Sequence, residues 1–446
     1  MYFTYPKDTE ITASVVEDFI KQHEEKIKRY DELYNLYVGN APILNQEEKE
    51  NYKPDNRLIV NFPRYQVDNF NGFFVGVPPK ISYNNPDKSD DQNKTIDDII
   101  NDFERRSEMP DLISEMSKQS SIYGHAFAYL YQDEDAQSRA VRIRPQNAFV
   151  VYEQTVAQEP LFAVYYIKNE DNEIEGQLHT TTHSYEIRNG EDGIVLTDER
   201  PHFYEDVPIV EFVENDERLS LVGVTESLTN AYNKAISEKA NDVDYFADAY
   251  LSVLGVELDE EGTHKIRDNR IINMFNQGGV TGAKDIVVEF LDKPDGDQTQ
   301  ENLLDRLERL IYETSMIANI SDINFGGTNM SGVALEFKLQ PMRNLAAVKE
   351  RKFIKALNRI FKMFFALPTN VPPVDRNEWL DIQYTFTRNL PRNIREEVEI
   401  ARGLDGVVSK ETQLQALSIV DNAKDEMGRM ETEDVGPALY DFEKSE

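Results

Sequence analysis

The chain is 446 residues long, 40% hydrophobic and 29% charged, which is typical of a globular protein with room for two or three domains. Its formal net charge of −34 excludes a general phosphate-binding surface, because nucleic-acid-binding proteins of the usual kind are basic. The absence of cysteine excludes disulfides and thiolate zinc sites.

The same composition gives expectations about location and about the role of the charge. The sequence has no apolar run of about eighteen residues, and its N-terminus lacks a charged segment followed by an apolar one, so we expect a soluble protein made in a cytoplasm. Two interpretations of the acidity stay open. Either it only keeps the protein soluble, or it lets DNA pass without adhering, since acidic walls repel phosphates over about 10 Å.

The first part of the chain is predicted to be mainly helical. Apolar residues recur there at helical spacing, and Gly39 and Gly76 are the expected ends of the first two helices. The predicted helices are 12–38, 65–74, 96–106 and 110–124. The segments 56–62 and 77–83 are predicted to be extended.

From residue 126 to residue 212 the pattern changes to strands. Apolar residues alternate or run together in stretches such as 126–131 and 162–167, and turn residues separate the later stretches. We therefore predict an antiparallel sheet of about six strands that packs on the preceding helices.

Two long helices with a small insert follow. The segment 223–250 is predicted to be a helix of about 40 Å, residues 251–297 a small insert of strands and turns, and residues 298–323 a second helix antiparallel to the first. The apolar positions on which their packing is expected to depend are Tyr232, Ile236, Phe246, Leu303, Leu307 and Leu310.

A small, polar, glycine-rich loop separates this second helix from another long helical pattern. Its residues are Gly326, Gly327, Thr328, Asn329, Met330, Ser331 and Gly332. The three glycines allow tight turns and positive φ without steric cost. A loop of this kind between two long helices is either a hinge or a tip that contacts another molecule.

The helical pattern beyond the loop contains Pro341, which removes a backbone hydrogen bond and predicts a kink. Further along, four basic residues project opposite the apolar side of the helix; they are Lys352, Lys355, Arg359 and Lys362. Two interpretations of this basic face stay open. It pairs with carboxylates, at the surface or between subunits, or it contacts DNA. A strand is predicted at 379–386, and helices in the last 55 residues.

Three motifs resemble catalytic or metal sites without meeting their requirements. Residues 278–284 superficially resemble a phosphate-binding loop, but the spacing is wrong and Asp285 stands where Ser or Thr should bind magnesium. His179 and His183 lie in a predicted surface hairpin without a nearby glutamate. Asp242 and Asp244 fall on different sides of a helix. We therefore predict no catalytic residue, no metal and no cofactor.

The chain resembles the portal proteins of tailed bacteriophages, specifically those of siphophages of Gram-positive hosts. The segments that carry the resemblance run in order along nearly the whole sequence. They are 30–39 (YDELYNLYVG), 61–68 (NFPRYQVD), 72–78 (GFFVGVP), 122–126 (IYGHA), 244–251 (DYFADAYL), 325–327 (FGG), 331–335 (SGVAL), 349–353 (KERKF) and 408–412 (VSKET).

The resemblance implies an α+β subunit of a ring, usually of twelve copies, at one capsid vertex of the virion. Double-stranded DNA enters and leaves through this ring, and the implied partners are a terminase, the major capsid or scaffolding protein, and a head–tail adaptor, with no membrane. The implied parts are a mixed α/β wing (1–222 with 334–391, the kinked helix and a wing strand), stem helices (223–250 and 298–323), a small α/β clip (251–297), a DNA-facing tunnel loop (324–333), and a helical crown with an acidic tail (392–446).

The physical pattern is consistent with a ring, because two long helices joined by a small insert have no adequate core in a single copy. The alternative interpretation is another phage head–tail connector or capsid-vertex protein. Connectors of that kind are normally much shorter. A DNA-processing enzyme would need a nucleotide or metal constellation, which the sequence does not show.

Overall fold

A computed structural model describes residues 2–49, 54–191, 193–247, 251–254, 271–274, 287–290, 297–320, 332–389, 394–417, 419–420 and 423–432. The chain divides into two compact units, Met1–Arg388 and Asn389–Glu446. No helix among the described residues is both long enough and apolar enough to cross a membrane.

The first unit contains seven helices and fourteen strands within its described residues. The helices are α1 (Ala13–Val38), α2 (Phe62–Val75), α3 (Asp90–Arg106), α4 (Met109–Tyr123), α5 (Leu221–Ala247), α6 (Asp297–Ser315) and α7 (Gly332–Ala366). The strands are β1 (Phe3–Tyr5), β2 (Lys80–Tyr83), β3 (His125–Gln132), β4 (Ser138–Ile143), β5 (Ala148–Glu153), β6 (Pro160–Lys168), β7 (Ile174–Thr180), β8 (His183–Gly190), β9 (Gly193–Pro201), β10 (Ile209–Val213), β11 (Leu251–Leu254), β12 (Ile271–Met274), β13 (Val287–Phe290) and β14 (Ile382–Thr385).

Helix ends follow the capping chemistry of the sequence. The Thr12 hydroxyl accepts a hydrogen bond from the Val15 amide at the start of α1, and Gly39 ends that helix with a φ of 86°. Gly124 ends α4 with a φ of 91°, and an added Cβ there would lie 2.0 Å from the Arg218 carbonyl oxygen. Only glycine fits this close approach, which brings α4 against the chain that leads into α5.

The strands form two main sheets rather than the single sheet predicted from the sequence. One has six strands in the order β1-β5-β6-β7-β8-β9, with β1 parallel to β5 and the other pairs antiparallel. The other has three antiparallel strands in the order β10-β3-β4.

The division into two sheets has a physical reason. Consecutive residues of β5 and β6 are buried, which requires a packed layer on both faces of the larger sheet. Helix α1 covers one face, where Val16, Phe19 and Ile20 pack against apolar residues of β5 to β9. The three-stranded sheet covers the β5 and β6 part of the other face, with Phe127 and Ile209 among the contacts. The two sheets therefore form a sandwich over this area.

The long helix α7 supplies a second core. Its Phe353 ring lies 5.4 Å from that of Phe74 in α2 and 5.1 Å from that of Phe212 in β10, measured between centroids. Phe364 lies 4.3 Å from Phe103 in α3. Because α7 contacts two helices and a strand through buried aromatic rings, its position in this unit is fixed by packing.

Three sequence predictions need correction or restriction. Helix α6 ends at Ser315, not at residue 323, because Met316 adopts a left-handed φ of 60° that interrupts the helix. The strand predicted at 379–386 is β14 preceded by a 3-10 turn, Glu378–Asp381. Pro341 lies inside α7 as predicted, whereas the kink stays a prediction.

The second unit contains three described helices, α8 (Ile394–Gly403), α9 (Lys410–Gln415) and α10 (Ala423–Thr432). Ser409 caps α9 as its sequence position predicts, since its hydroxyl accepts the Thr412 amide at 3.3 Å. Residues 390–393, 418, 421–422 and 433–446 lie outside the described residues. The expectation that the last residues are helical therefore applies to the described part of this unit.

Candidate functional site

The loop predicted to face DNA lies outside the described residues. These cover neither residues 326–331 nor the segment 278–284 that resembles a phosphate-binding loop, and Gly332 is the first residue of α7. Both flanks of the loop are described, as α6 before it and α7 after it. The candidate site is therefore built from the helix pair α5–α6 and from α7.

Helices α5 and α6 pack side by side and run antiparallel, as the sequence predicts. Polar pairs fix their direction. Lys239 forms an ion pair with Glu301. Three residues further along α5, the Asp242 carboxylate accepts a hydrogen bond from Gln300 Nε2 at 2.8 Å. Residue numbers rise along one helix as they fall along the other, so the insert between them leaves from one end of the pair.

The residues predicted to pack in the helix pair divide into two groups. Tyr232 contacts its own chain, because its ring centroid lies 5.0 Å from that of Phe62 in α2. Ile236 is half-buried, and the side chain of Phe246 lies outside the described residues. The other group is on α6, where Leu303 is 49% exposed and Leu307 and Leu310 are half-buried.

Helix α6 carries apolar residues on two of its sides. Leu304 and Ile311 are buried against the rest of the chain, with exposed fractions of 7% and 0%. Leu303, Leu307 and Leu310 lie at 3- and 4-residue spacing on an adjacent side that is partly open to solvent. We term this side the α6 outer stripe. A helix that packs against its own chain on one side normally has polar residues on its other sides, so a second apolar side is unusual.

A row of buried polar residues on α5 was not predicted from the sequence. Every fourth residue from 225 to 241 is polar and buried; the row is Thr225, Thr229, Asn233, Ser237 and Asn241. Three members bind backbone amides of the extended segment 56–60. Asn233 Oδ1 accepts the Val60 amide at 2.8 Å, Ser237 Oγ accepts the Leu58 amide at 2.9 Å, and Asn241 Oδ1 accepts the Asn56 amide at 2.6 Å.

The two repeats match in length. Four residues of a helix advance about 6 Å, and two residues of an extended chain advance about 6.6 Å. The row therefore holds alternate amides of the segment over its whole length. The signal in the sequence was an uncharged polar residue at every fourth position from 225 to 241.

The predicted basic face of α7 is paired with carboxylates of the same chain. Lys352 Nζ lies 2.5 Å from Asp216 Oδ1, and Arg359 bonds both Glu159, at 3.1 Å, and Asp206. Lys362 Nζ lies 3.7 Å from Asp206 Oδ2. Lys355 is exposed and has no ion pair among the described residues. Pairing with carboxylates, one of the two interpretations of this face, is thus present for three of its four cations.

One basic residue of α7, Lys349, is fully buried. Its ammonium lies 2.7 Å from Glu214 Oε2 and donates to the Ser117 carbonyl and the Ser121 hydroxyl, both at 2.8 Å. Burial lowers the pKa of Lys349, and the ion pair with Glu214 opposes that effect. The contacts connect α7 to α4 and to the residue that follows β10.

A second buried carboxylate, Glu211 in β10, connects the sandwich to the start of α5. Glu211 Oε1 accepts from His125 Nδ1 at 2.6 Å and from Arg218 Nε at 2.8 Å. Burial acts to raise the pKa of Glu211, but the hydrogen bonds from His125 and Arg218 outweigh it and lower that pKa. Glu211 is therefore a fixed anion that holds the Arg218 turn three residues before α5.

The described residues contain no group of three or more side chains suited to hold a metal ion. The predicted hairpin of His179 and His183 is present between β7 and β8, but His179 is buried, and its Nδ1 lies 2.7 Å from the Ser184 hydroxyl. Burial lowers the pKa of His179 to about 3, so its imidazole is neutral at pH 7. This histidine is a core residue rather than a surface one.

Comparison with known proteins decides the family. The family model "Phage portal protein, SPP1 Gp6-like" matches residues 16–436. The chain belongs to this family of phage portal proteins. It is 26% identical to the portal protein of Bacillus phage SPP1 over 87% of this chain and 78% of that one. It is 22% identical to the portal protein of Clostridium phage phiCD119 over 86% of each.

Membership in the portal family agrees with the resemblance found in the sequence, including the Gram-positive hosts of both relatives. The match extends over both compact units, so neither is foreign to the family. Portal proteins of this family are structural proteins rather than a known class of enzyme.

Proposed function

We propose that this portal protein assembles into a ring at one capsid vertex and that double-stranded DNA passes through the ring during packaging and ejection. The stem of each subunit is the α5–α6 pair, the clip is the insert between those helices, and the tunnel loop is the segment between α6 and α7. Terminase and the head–tail adaptor dock on the ring, and capsid or scaffolding protein surrounds the wing.

The observation that carries the ring is the α6 outer stripe. Leu303, at 49% exposed, and the half-buried Leu307 and Leu310 leave an apolar strip along a helix whose other apolar side is already buried. Water contact with such a strip costs about 25 cal/mol for each Å². In a closed ring, each copy covers the stripe of its neighbour, which removes that cost for every subunit.

The acidity of the chain supports passage of DNA rather than capture. With 82 acidic and 48 basic side chains, a ring of this protein repels phosphates along most of its surface. A channel that binds phosphates tightly would slow DNA movement, whereas an acidic one with few contacts would not.

The ring is tested by replacing Leu303 or Leu307 with Asp and measuring the mass distribution of the purified protein by mass photometry. A charge in the stripe is expected to shift the wild-type ring to monomers or small oligomers. Asn302→Asp is the matched control, because this exposed neighbour on α6 receives the same carboxylate outside the stripe. Negative-stain microscopy of the wild type should show a ring with an axial hole.

Both Leu variants are suited to this test because their side chains are at least partly open in the single copy. Tyr232→Asp is less suited, since the ring of Tyr232 packs on Phe62 and its loss would weaken the subunit itself. Rings of normal mass in both Leu variants, with a ring-forming wild type, would contradict the stem assignment.

A further inference from the structure

The basic face of α7 lines a groove of about 300 Å³. Lys352, Lys355, Arg359 and Lys362 follow each other at spacings of three, four and three residues, so all four lie on one side of the helix. Trp379 also lines the groove. In a chain of net charge −34, a continuous row of four cations is an exception that calls for a partner.

Carboxylates of the same chain leave this groove short of acceptors. Arg218 and Glu211, which also line the groove, pair with each other. The four cations of α7 then face three carboxylates, those of Asp206, Asp216 and Glu159. Asp206 is shared between Arg359 and Lys362, and Lys355 has no ion pair among the described residues.

The Lys355 ammonium is exposed, and Lys362 is half exposed and only 3.7 Å from the carboxylate that it shares with Arg359. These two accessible ammonium groups therefore mark where one further carboxylate would fit. The requirement is for an acceptor that another molecule brings to the groove.

We propose that the groove binds a carboxylate-rich surface of a second copy of this chain, an inference that rests on the proposed ring. Two copies of a protein with 82 acidic residues repel each other unless a basic surface of one meets acidic side chains of the other. DNA is a poorer occupant. The groove has room for one or two side chains rather than a duplex, and its four carboxylates would face the phosphates.

The test is the double charge reversal Lys355→Glu with Lys362→Glu. Both side chains are exposed, so the subunit is expected to fold, which circular dichroism and the melting temperature check. Mass photometry over a concentration series is expected to show that half-assembly needs at least ten times more protein than the wild type. The matched control is Lys94→Glu with Arg105→Glu, the same charge change at exposed positions of α3.

A photo-reactive amino acid at position 355 supplies an independent readout. It is expected to yield a covalent dimer whose cross-linked peptide contains aspartate or glutamate of the second copy. To measure DNA binding, wild-type, variant and control proteins are also titrated with a fluorescent 20-base-pair duplex.

The outcomes separate the two proposals. Equal assembly of variant and control, with a ring-forming wild type and no intermolecular cross-link, overturns the groove inference alone. Normal rings together with lost duplex binding overturn it in favour of DNA. A wild type that stays monomeric overturns the ring and the inference with it.

Discussion

Glu104 in α3 is a carboxyl group whose protonation matters near neutral pH. Burial, and then the nearby charge of Asp97, raise its pKa from 4.5 to about 7. A carboxyl group whose pKa is higher in the folded than in the unfolded protein stabilises the fold fully at a pH below its unfolded-state pKa. This contribution is lost as the pH rises through its folded-state pKa. The folded protein should therefore lose stability between about pH 4.5 and pH 7 through this residue.

The corresponding variant is Glu104→Gln, which keeps the shape and removes the charge. At pH 8 it should raise the free energy of unfolding by up to about 3 kcal/mol relative to wild type, and at pH 4.5 the two should be alike. Thermal melts across this range measure the difference. Asp98→Asn, at an exposed position of the same helix, is the control, and a constant offset at every pH would disprove the assignment.

The Lys349–Glu214 pair predicts a larger effect that does not depend on the ring. Lys349→Met leaves the Glu214 carboxylate buried without its cation, which costs about 3–5 kcal/mol. Arg351→Met, two residues further on the exposed side of α7, should change little. Urea denaturation distinguishes the two. The double variant Lys349→Met with Glu214→Gln should recover part of the loss, since no charge then remains buried.

At the scale of elements, helices were predicted more closely than their ends. The apolar period of α5 and α7 is set by burial along the helix, so sequence shows it directly. The end of α6 depends on the positive φ of Met316, a residue type with no preference for that conformation, and therefore could not be read from sequence.

The loop between α6 and α7 carries a prediction of its own. In the proposed ring, its polar residues Thr328, Asn329 and Ser331 would contact DNA weakly without holding phosphates. Asn329→Lys or Ser331→Lys should therefore slow packaging, because each subunit would add a cation at the channel wall. Packaging rates are measured in the phage, with Asn329→Gln as the uncharged control. Rates equal to wild type in both Lys variants would count against a DNA-facing loop.

For the whole molecule, the order of short motifs along the chain was enough to predict the family, and periodicity was enough for the antiparallel helix pair. The two-sheet sandwich was not predicted. Its only sequence signal was the unbroken apolar run in β5 and β6, which marks burial on both faces. The carboxylate partners of the α7 cations could not be identified either, because residues such as Asp206 and Lys362 are far apart in sequence and meet only after folding.

The polar row of α5 also constrains how this protein can change over evolution. It binds segment 56–60 through main-chain amides, so the side chains of that segment can drift with little effect on this contact. The length of the segment is more constrained than its side chains. A single-residue insertion would turn the other set of amides toward Asn233 and Ser237, whereas a two-residue insertion would leave the same alternate amides facing α5. Homologues are therefore expected to differ here by even numbers of residues.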